Sequence, residues 1–242
     1  MWSSIDHGVS FSAVAWTLGG WPASVRFLDE QIVFMGDEVG DRVFRSADAG
    51  QTWAVHTFTR DVLPGTHAIE SLGTSRAWIV GGPAFRGDGT GATIASWSDG
   101  AQTWTITTLT DHDHVGGSLH GVAVVSAAEL WVAGDNRQVF HTTDTMRTWT
   151  QLDGIPAEIL HFGGVAVRGT TVVLAASIAP GDYGLYRSTD GGATFQIIDR
   201  RVAVAWDPHG VHGVTQTREG DLFVHGYAGL LWRYSRVMLG GP

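Results

Sequence analysis

At 242 residues with a net charge of −9, the chain is long enough to bury a sizeable core, and it offers no basic face to a phosphate backbone, which argues against nucleic acid as a partner. It has no cysteine and all fifteen basic residues are arginine, so disulfides, thiolate metal sites and lysine nucleophiles are excluded. The N-terminal "MWSSIDHGVS" has no basic leader before an apolar stretch, and no run is long enough to cross a bilayer, so the expectation is a cytoplasmic protein without a membrane partner.

In chain order, one short unit recurs. It begins as "SSIDHGVSF" around Asp6 and returns as "RSADAGQTW" at Asp48 and "WSDGAQTW" at Asp99. Two further copies are "HTTDTMRTW" at Asp144 and "YRSTDGGATF" at Asp190. Asp and Gly in this spacing make a tight turn, and the terminal Trp or Phe packs beyond it. Ahead of the boxes lie strand-like runs, such as "GVAVV" then "ELWVAG", and near the C-terminus "GVTQT", "DLFVHG" and "GLLWRYS". A repeat of this length built from strands predicts blades of a closed, all-β ring.

The five copies resemble the Asp-box, or BNR repeat, of sialidase-like and photosystem-assembly-factor-like β-propellers. The copy at Asp190 matches fully, whereas Ala101 and Met146 stand where a glycine is expected. The resemblance implies one five-bladed β-propeller domain of four-stranded antiparallel blades, over about 24–58, 67–109, 119–152, 161–199, and 212–236 plus 1–18. The N-terminal strand is expected to complete the C-terminal blade. It also implies that the boxes are turns between third and fourth strands, with no part in chemistry.

Aligning the second strands "AWIVGG", "LWVAG" and "LFVHG" puts His67, His120 and His212 at one position, just before the innermost strand. His161 falls two residues early, with the Gly163–Gly164 pair as a bulge to absorb the offset, and Ala23 or a neighbour takes the place in the first blade. Innermost strands surround the axis, so these imidazoles should converge. Four imidazoles without a thiolate point to a divalent transition metal, iron(II) first and zinc, manganese or copper next, held by His67, His120, His161 and His212. The loops "TDHDHVGGSLH" and "WDPHGVH" bring Asp113, His114 and His209 to the same side as candidates for proton transfer.

The expected function on these grounds is a metal-dependent enzyme acting on a small molecule at the axial site, by iron(II) oxidative chemistry or metal-assisted lyase or hydrolase chemistry. A second class is a non-catalytic carbohydrate-binding or protein-assembly propeller whose histidines are structural. A sialidase-like glycosidase fits poorly, because no arginine triad can be placed.

Overall fold

The computed structural model describes residues 2, 3, 9, 10, 12, 13, 16, 18–38, 40–59, 63, 65–82, 92–100, 103–109, 117–179, 182–202, 211–217, 221–226 and 231–235. Every regular element among them is a β-strand. Two short strands, β1 (Trp2–Ser3) and β2 (Ser12–Ala13), pair with each other. Blade 1 contains β3 (Pro22–Phe27), β4 (Val33–Asp37), β5 (Arg42–Ser46) and β6 (Ala54–Thr57). Blade 2 contains β7 (Thr66–Leu72), β8 (Arg76–Gly81), β9 (Ala92–Ser98) and β10 (Thr103–Leu109). Blade 3 contains β11 (Leu119–Val124), β12 (Leu130–Gly134), β13 (Val139–Thr142) and β14 (Thr150–Gln151). Blade 4 contains β15 (His161–Arg168), β16 (Thr171–Ala179), β17 (Asp182–Ser188) and β18 (Gln196–Val202). Blade 5 contains β19 (Val211–Gln216), β20 (Leu222–Gly226) and β21 (Leu231–Tyr234).

Each blade is an antiparallel sheet whose strands pair in sequence order, and the five together form the expected five-bladed β-propeller. The innermost strands follow one another round the axis as β3, β7, β11, β15 and β19. Among the described residues blade 5 has three strands, and β2 finds its partner in β1.

The second strands read "VFMGD", "RAWIVG" and "LWVAG" because both of their faces are covered by neighbouring blades, and they are buried almost throughout. Four apolar clusters fill four spaces between blades. Phe34 and Val43 of blade 1 meet Ile69 and Ile79 of blade 2, and Trp78 and Ile94 meet Val122 and Val132 of blade 3. Trp131 and Val139 then meet Val165 and Leu174 of blade 4, and Val173 and Tyr183 meet Val214 and Val224 of blade 5.

The Asp-boxes at Asp48, Asp99, Asp144 and Asp190 lie on the turns between third and fourth strands, as the resemblance implied, and the copy at Asp6 lies outside the described residues. In the first, Ser46 Oγ donates to Asp48 Oδ1 at 2.7 Å, and Asp48 accepts from the Thr52 N–H at 2.8 Å and the Thr52 hydroxyl at 2.5 Å. Thr142, Asp144 and Thr148 repeat this set, as do Ser188, Asp190 and Thr194. The turn needs two consecutive left-handed residues, supplied by Ala49–Gly50, Thr145–Met146 and Gly191–Gly192.

Candidate functional site at the axial end

Every innermost strand carries a β-bulge near its start. The register against the second strand jumps between Pro22 and Ser24, Thr66 and Ala68, Leu119 and Gly121, Phe162 and Gly164, and Val211 and Gly213. The residues left over are Ala23, His67, His120, Gly163 and His212. The alignment made from sequence is therefore correct in register: three histidines and Ala23 share one position, and the glycine pair of blade 4 absorbs its offset. A bulge leaves its extra residue unpaired and re-aims the side chain, here at the end of each innermost strand. His161 lies two residues before its bulge, opposite Ser177.

The position after the bulge holds Ser24, Ala68, Gly121, Gly164 and Gly213, because successive innermost strands approach closely there. A Cβ on Gly121 would sit 2.6 Å from Gly164 Cα, and one on Gly164 would sit 2.6 Å from Val214 N. Backbone contact at these points brings the imidazoles of neighbouring blades within reach of one another.

His67 Nδ1 and His120 Nδ1 are 2.8 Å apart, with the rings edge-on at 4.5 Å between centroids. His120 Nε2 lies 3.0 Å from Asp135 Oδ1, and the His161 ring is 6.5 Å from that of His120. Asp135 also accepts the Ser118 N–H at 2.9 Å. The ring of His212 is exposed, and its charge lowers the basicity of His67. The structure thus gathers all four predicted histidines at one end of the axis.

A carboxylate can only accept, so the Nε2 that faces it on His120 carries hydrogen. In a neutral His120, Nδ1 is then the acceptor and His67 Nδ1–H the donor. That leaves His67 Nε2 as a bare lone pair, sealed from solvent without a hydrogen-bond partner. Burial first, and the neighbouring imidazole of His120 second, hold His67 neutral down to about pH 3. Burial opposes ionisation of Asp135. The hydrogen bond from His120 and the electrostatic attraction of that ring, then the Ser118 N–H and the His161 ring, outweigh it and bring it down to about 2.

These bonds overturn the metal expectation. Nδ1 of His67 and both ring nitrogens of His120 are taken up by the contact between the two rings and by Asp135. Among the described residues no group of three or more histidine, aspartate or glutamate side chains is arranged to hold a metal ion. His67, His120 and Asp135 form a hydrogen-bonded polar cluster, with the His161 ring 6.5 Å from that of His120. Asp113, His114 and His209, the expected proton-transfer residues, lie outside the described residues.

Two features of this end had little voice in the sequence. Asp135 and Asp37 close the second strands of blades 3 and 1, and each carboxylate caps the N–H two residues ahead of a bulge, Ser118 in one case and Trp21 in the other at 2.9 Å. The signal was an aspartate directly after a second strand, in "MGDE" and "AGDN". Asp37 is buried and held by Arg42 at 2.6 Å, and its carbonyl accepts the Thr66 hydroxyl next to His67. Trp21, fixed through its N–H by Asp37 and through its carbonyl by the Glu38 N–H, is 69% exposed.

No protein-family profile matches the chain. A 90-residue stretch, 34% of the chain, is 34% identical to a probable oligoxyloglucan-reducing end-specific xyloglucanase of Neosartorya fischeri, of which it spans 11%. Among solved structures, YCF48 from Cyanidioschyzon merolae is similar over 97% of this chain and 73% of its own, with a TM-score of 0.68 and 17% identity. YCF48 bound to D1 peptide is similar over 89% of this chain and 65% of its own, with a TM-score of 0.59 and 17% identity. The Niastella koreensis GH74 enzyme is similar over 90% of this chain and 36% of its own, with a TM-score of 0.64 and 18% identity. The chain therefore spans about a tenth of its curated relative and about a third to three quarters of these structures. At the level of fold, it is a β-propeller like those of YCF48 and the GH74 xyloglucanases.

Proposed function

We propose that this chain is a non-catalytic recognition propeller that holds a neutral, hydroxyl-rich sugar chain at the axial end bearing the histidines. The observation that carries this reading is Trp21. Its exposed ring is held out on a main chain fixed on both sides over buried Asp37, and a preformed aromatic face of this kind is ready to stack on a ligand. An exposed indole on a fixed main chain, at the end of the axis that bears the imidazoles, suits a pyranose ring, whose C–H face stacks while its hydroxyls find donors and acceptors. The stretch related to a xyloglucanase supports the same ligand class.

Catalysis is not part of the reading, because the carboxylates described at this end are already committed. Asp37 is clamped by Arg42, and Asp135 is held ionised by His120, whereas a general acid needs its proton kept on near neutral pH.

The test is calorimetric titration with xyloglucan and cello-oligosaccharides, beside an assay for reducing ends released from the same ligands. Saturable binding, lost in Trp21→Ala and retained in part by Trp21→Phe, without new reducing ends, is the expected result. Absence of binding to any glycan, or binding unaffected by Trp21→Ala, would overturn it. Capture of a peptide at this end instead would replace it by a protein-assembly reading, the class that YCF48 bound to D1 peptide suggests.

A further inference from the structure

The strand registers set one column of the third strands against one column of the second. Arg45, Ser96, His141, Arg187 and Arg233 lie opposite Phe34, Trp78, Trp131, Val173 and Phe223 in blades 1 to 5. In blades 1, 3 and 5 a basic side chain therefore meets an aromatic ring at one position of the repeat. The Arg45 guanidinium lies 6.0 Å from the centre of Phe34, His141 stacks on Trp131 at 3.9 Å, and the Arg233 guanidinium lies 5.9 Å from the centre of Phe223.

Two of these three bases meet an acid that stands two residues ahead of the ring. Glu129 Oε1 is 3.1 Å from His141 Nε2, and Asp221 Oδ2 accepts from Arg233 at 2.6 and 3.0 Å. The same position in blade 1 is Ile32, which packs against the core between blades 1 and 2. Asp29, earlier in that turn, directs its Oδ1 to the N–H groups of Gln31 and Ile32 at 2.8 and 2.6 Å. Arg45 makes no ion pair with a described residue, and its Nε is buried without a hydrogen-bond partner. The ring of Trp97, from blade 2, lies 5.4 Å from the same guanidinium and holds it from the neighbouring blade.

We infer that Arg45 is a carboxylate-binding site, at which a ligand supplies from outside the group that Glu129 and Asp221 supply within blades 3 and 5. A guanidinium cannot shed its charge, its fork takes a carboxylate through two parallel hydrogen bonds, and rings that exclude water strengthen them. Beside it Trp104 lies 5.7 Å from Phe34, and the exposed His56 lies 6.2 Å from Trp104, so a flat apolar body has rings to rest on. The net charge of −9 repels a polyanion, which makes the ligand a small aromatic monocarboxylate rather than an acidic polymer. The site stands next to the Asp48 box, at the other end of β5 from the Asp37–Arg42 pair, and is independent of sugar binding at the histidine end.

The test is NMR titration of the isotope-labelled full chain with benzoate, read at the arginine Nε–H signals and by saturation transfer to the ligand. Benzyl alcohol serves as the neutral analogue and acetate as the carboxylate without a ring. The expected result is a saturable shift of one arginine signal by benzoate, a weaker one by acetate and none by benzyl alcohol. Arg45→Gln should remove both the signal and the transfer to benzoate. Ile32→Glu should also abolish the response, because it restores inside the chain the pairing seen in blades 3 and 5; should that variant fail to fold, Arg45→Gln still decides. No saturable shift with either carboxylate, an equal response to benzyl alcohol, or benzoate binding that survives Arg45→Gln would overturn the inference.

Discussion

His67 and His120, contributed by neighbouring blades, meet nitrogen to nitrogen at 2.8 Å, and one proton between them joins His67 to Asp135 through the His120 ring. Imidazoles placed so that each satisfies the other tie two blades together at the axis, and they direct the remaining polar groups of that end.

The acid side of stability should show this arrangement. A histidine kept neutral by the fold binds its proton in the unfolded chain first, at about pH 6.5. The stability it contributes is complete above that pH and is lost as pH falls toward its folded value of about 3. One such group gives a slope of up to about 1.4 kcal/mol per pH unit. His225 and His56 are lowered in the same direction by partial desolvation and add to the loss below the unfolded value. Urea unfolding of His67→Gln between pH 7 and 4 should show a shallower slope than the wild type by a sizeable part of one proton. Equal slopes would mean that His67 titrates freely.

Asp135→Ala should cost about 1–3 kcal/mol, because it strands the buried Ser118 N–H and removes the acceptor of His120 Nε2–H. In a domain of this size that is a fall of very roughly 2–10 °C in Tm. Nitrogen-detected NMR provides a second readout: His120 should hold its proton on Nε2 in the wild type and redistribute it between the ring nitrogens in the variant. A tautomer unchanged by the substitution would contradict the orienting role of Asp135.

Thr145→Gly should stabilise the protein. Thr145 is an exposed β-branched residue at φ +63°, where the box at Asp190 has Gly191 at +71°. Relief of left-handed strain is worth about 1 kcal/mol with no packing lost, or about 2–4 °C in Tm by differential scanning fluorimetry. A lower Tm would show that the side chain holds the turn in a way the box geometry does not reveal.

Gly163→Ala should destabilise by about 1–3 kcal/mol or more, since the new Cβ would lie 1.9 Å from the Val211 carbonyl oxygen, a backbone atom that cannot swing aside. Thermal unfolding measures the loss. Tolerance of alanine would mean that blades 4 and 5 are not in backbone contact at the bulge.

Acid should also loosen the Asp-boxes. Asp48, Asp144 and Asp190 are brought down to about 2 by the Thr hydroxyl and N–H and the Ser or Thr hydroxyl that donate to them. A carboxylate lowered in the fold contributes above its unfolded value near 4, and that contribution fades as pH falls toward 2. Asp144→Asn should flatten the Tm decline between pH 4 and 2 while lowering Tm at pH 7; a parallel pH profile would show that the box is not ionised there.

The repeat and the bulge column were legible in the sequence because both are local. Asp–Gly turns recur at fixed spacing, and second strands buried on both faces read as apolar runs that set the phase of their neighbours. From that phase alone His67, His120 and His212 fell into one column, and Gly163 into the bulge of blade 4. The use of the histidines was not legible, since it depends on which way two rings turn when neighbouring strands touch at Gly121 and Gly164, and on a carboxylate, Asp135, that the sequence offers only as one loop acid among many. Val25 makes the same point from the other direction: it reads like Ile69, Val122, Val165 and Val214, and the fold leaves it exposed where they are buried. Sequence periodicity determined the strands, the turns and the convergence of the imidazoles, because each follows from steric and solvation preferences within a few residues. Tertiary structure decided that His67 and His120 meet each other and that His120 meets Asp135, because ring orientation is fixed by contacts between blades far apart in the chain.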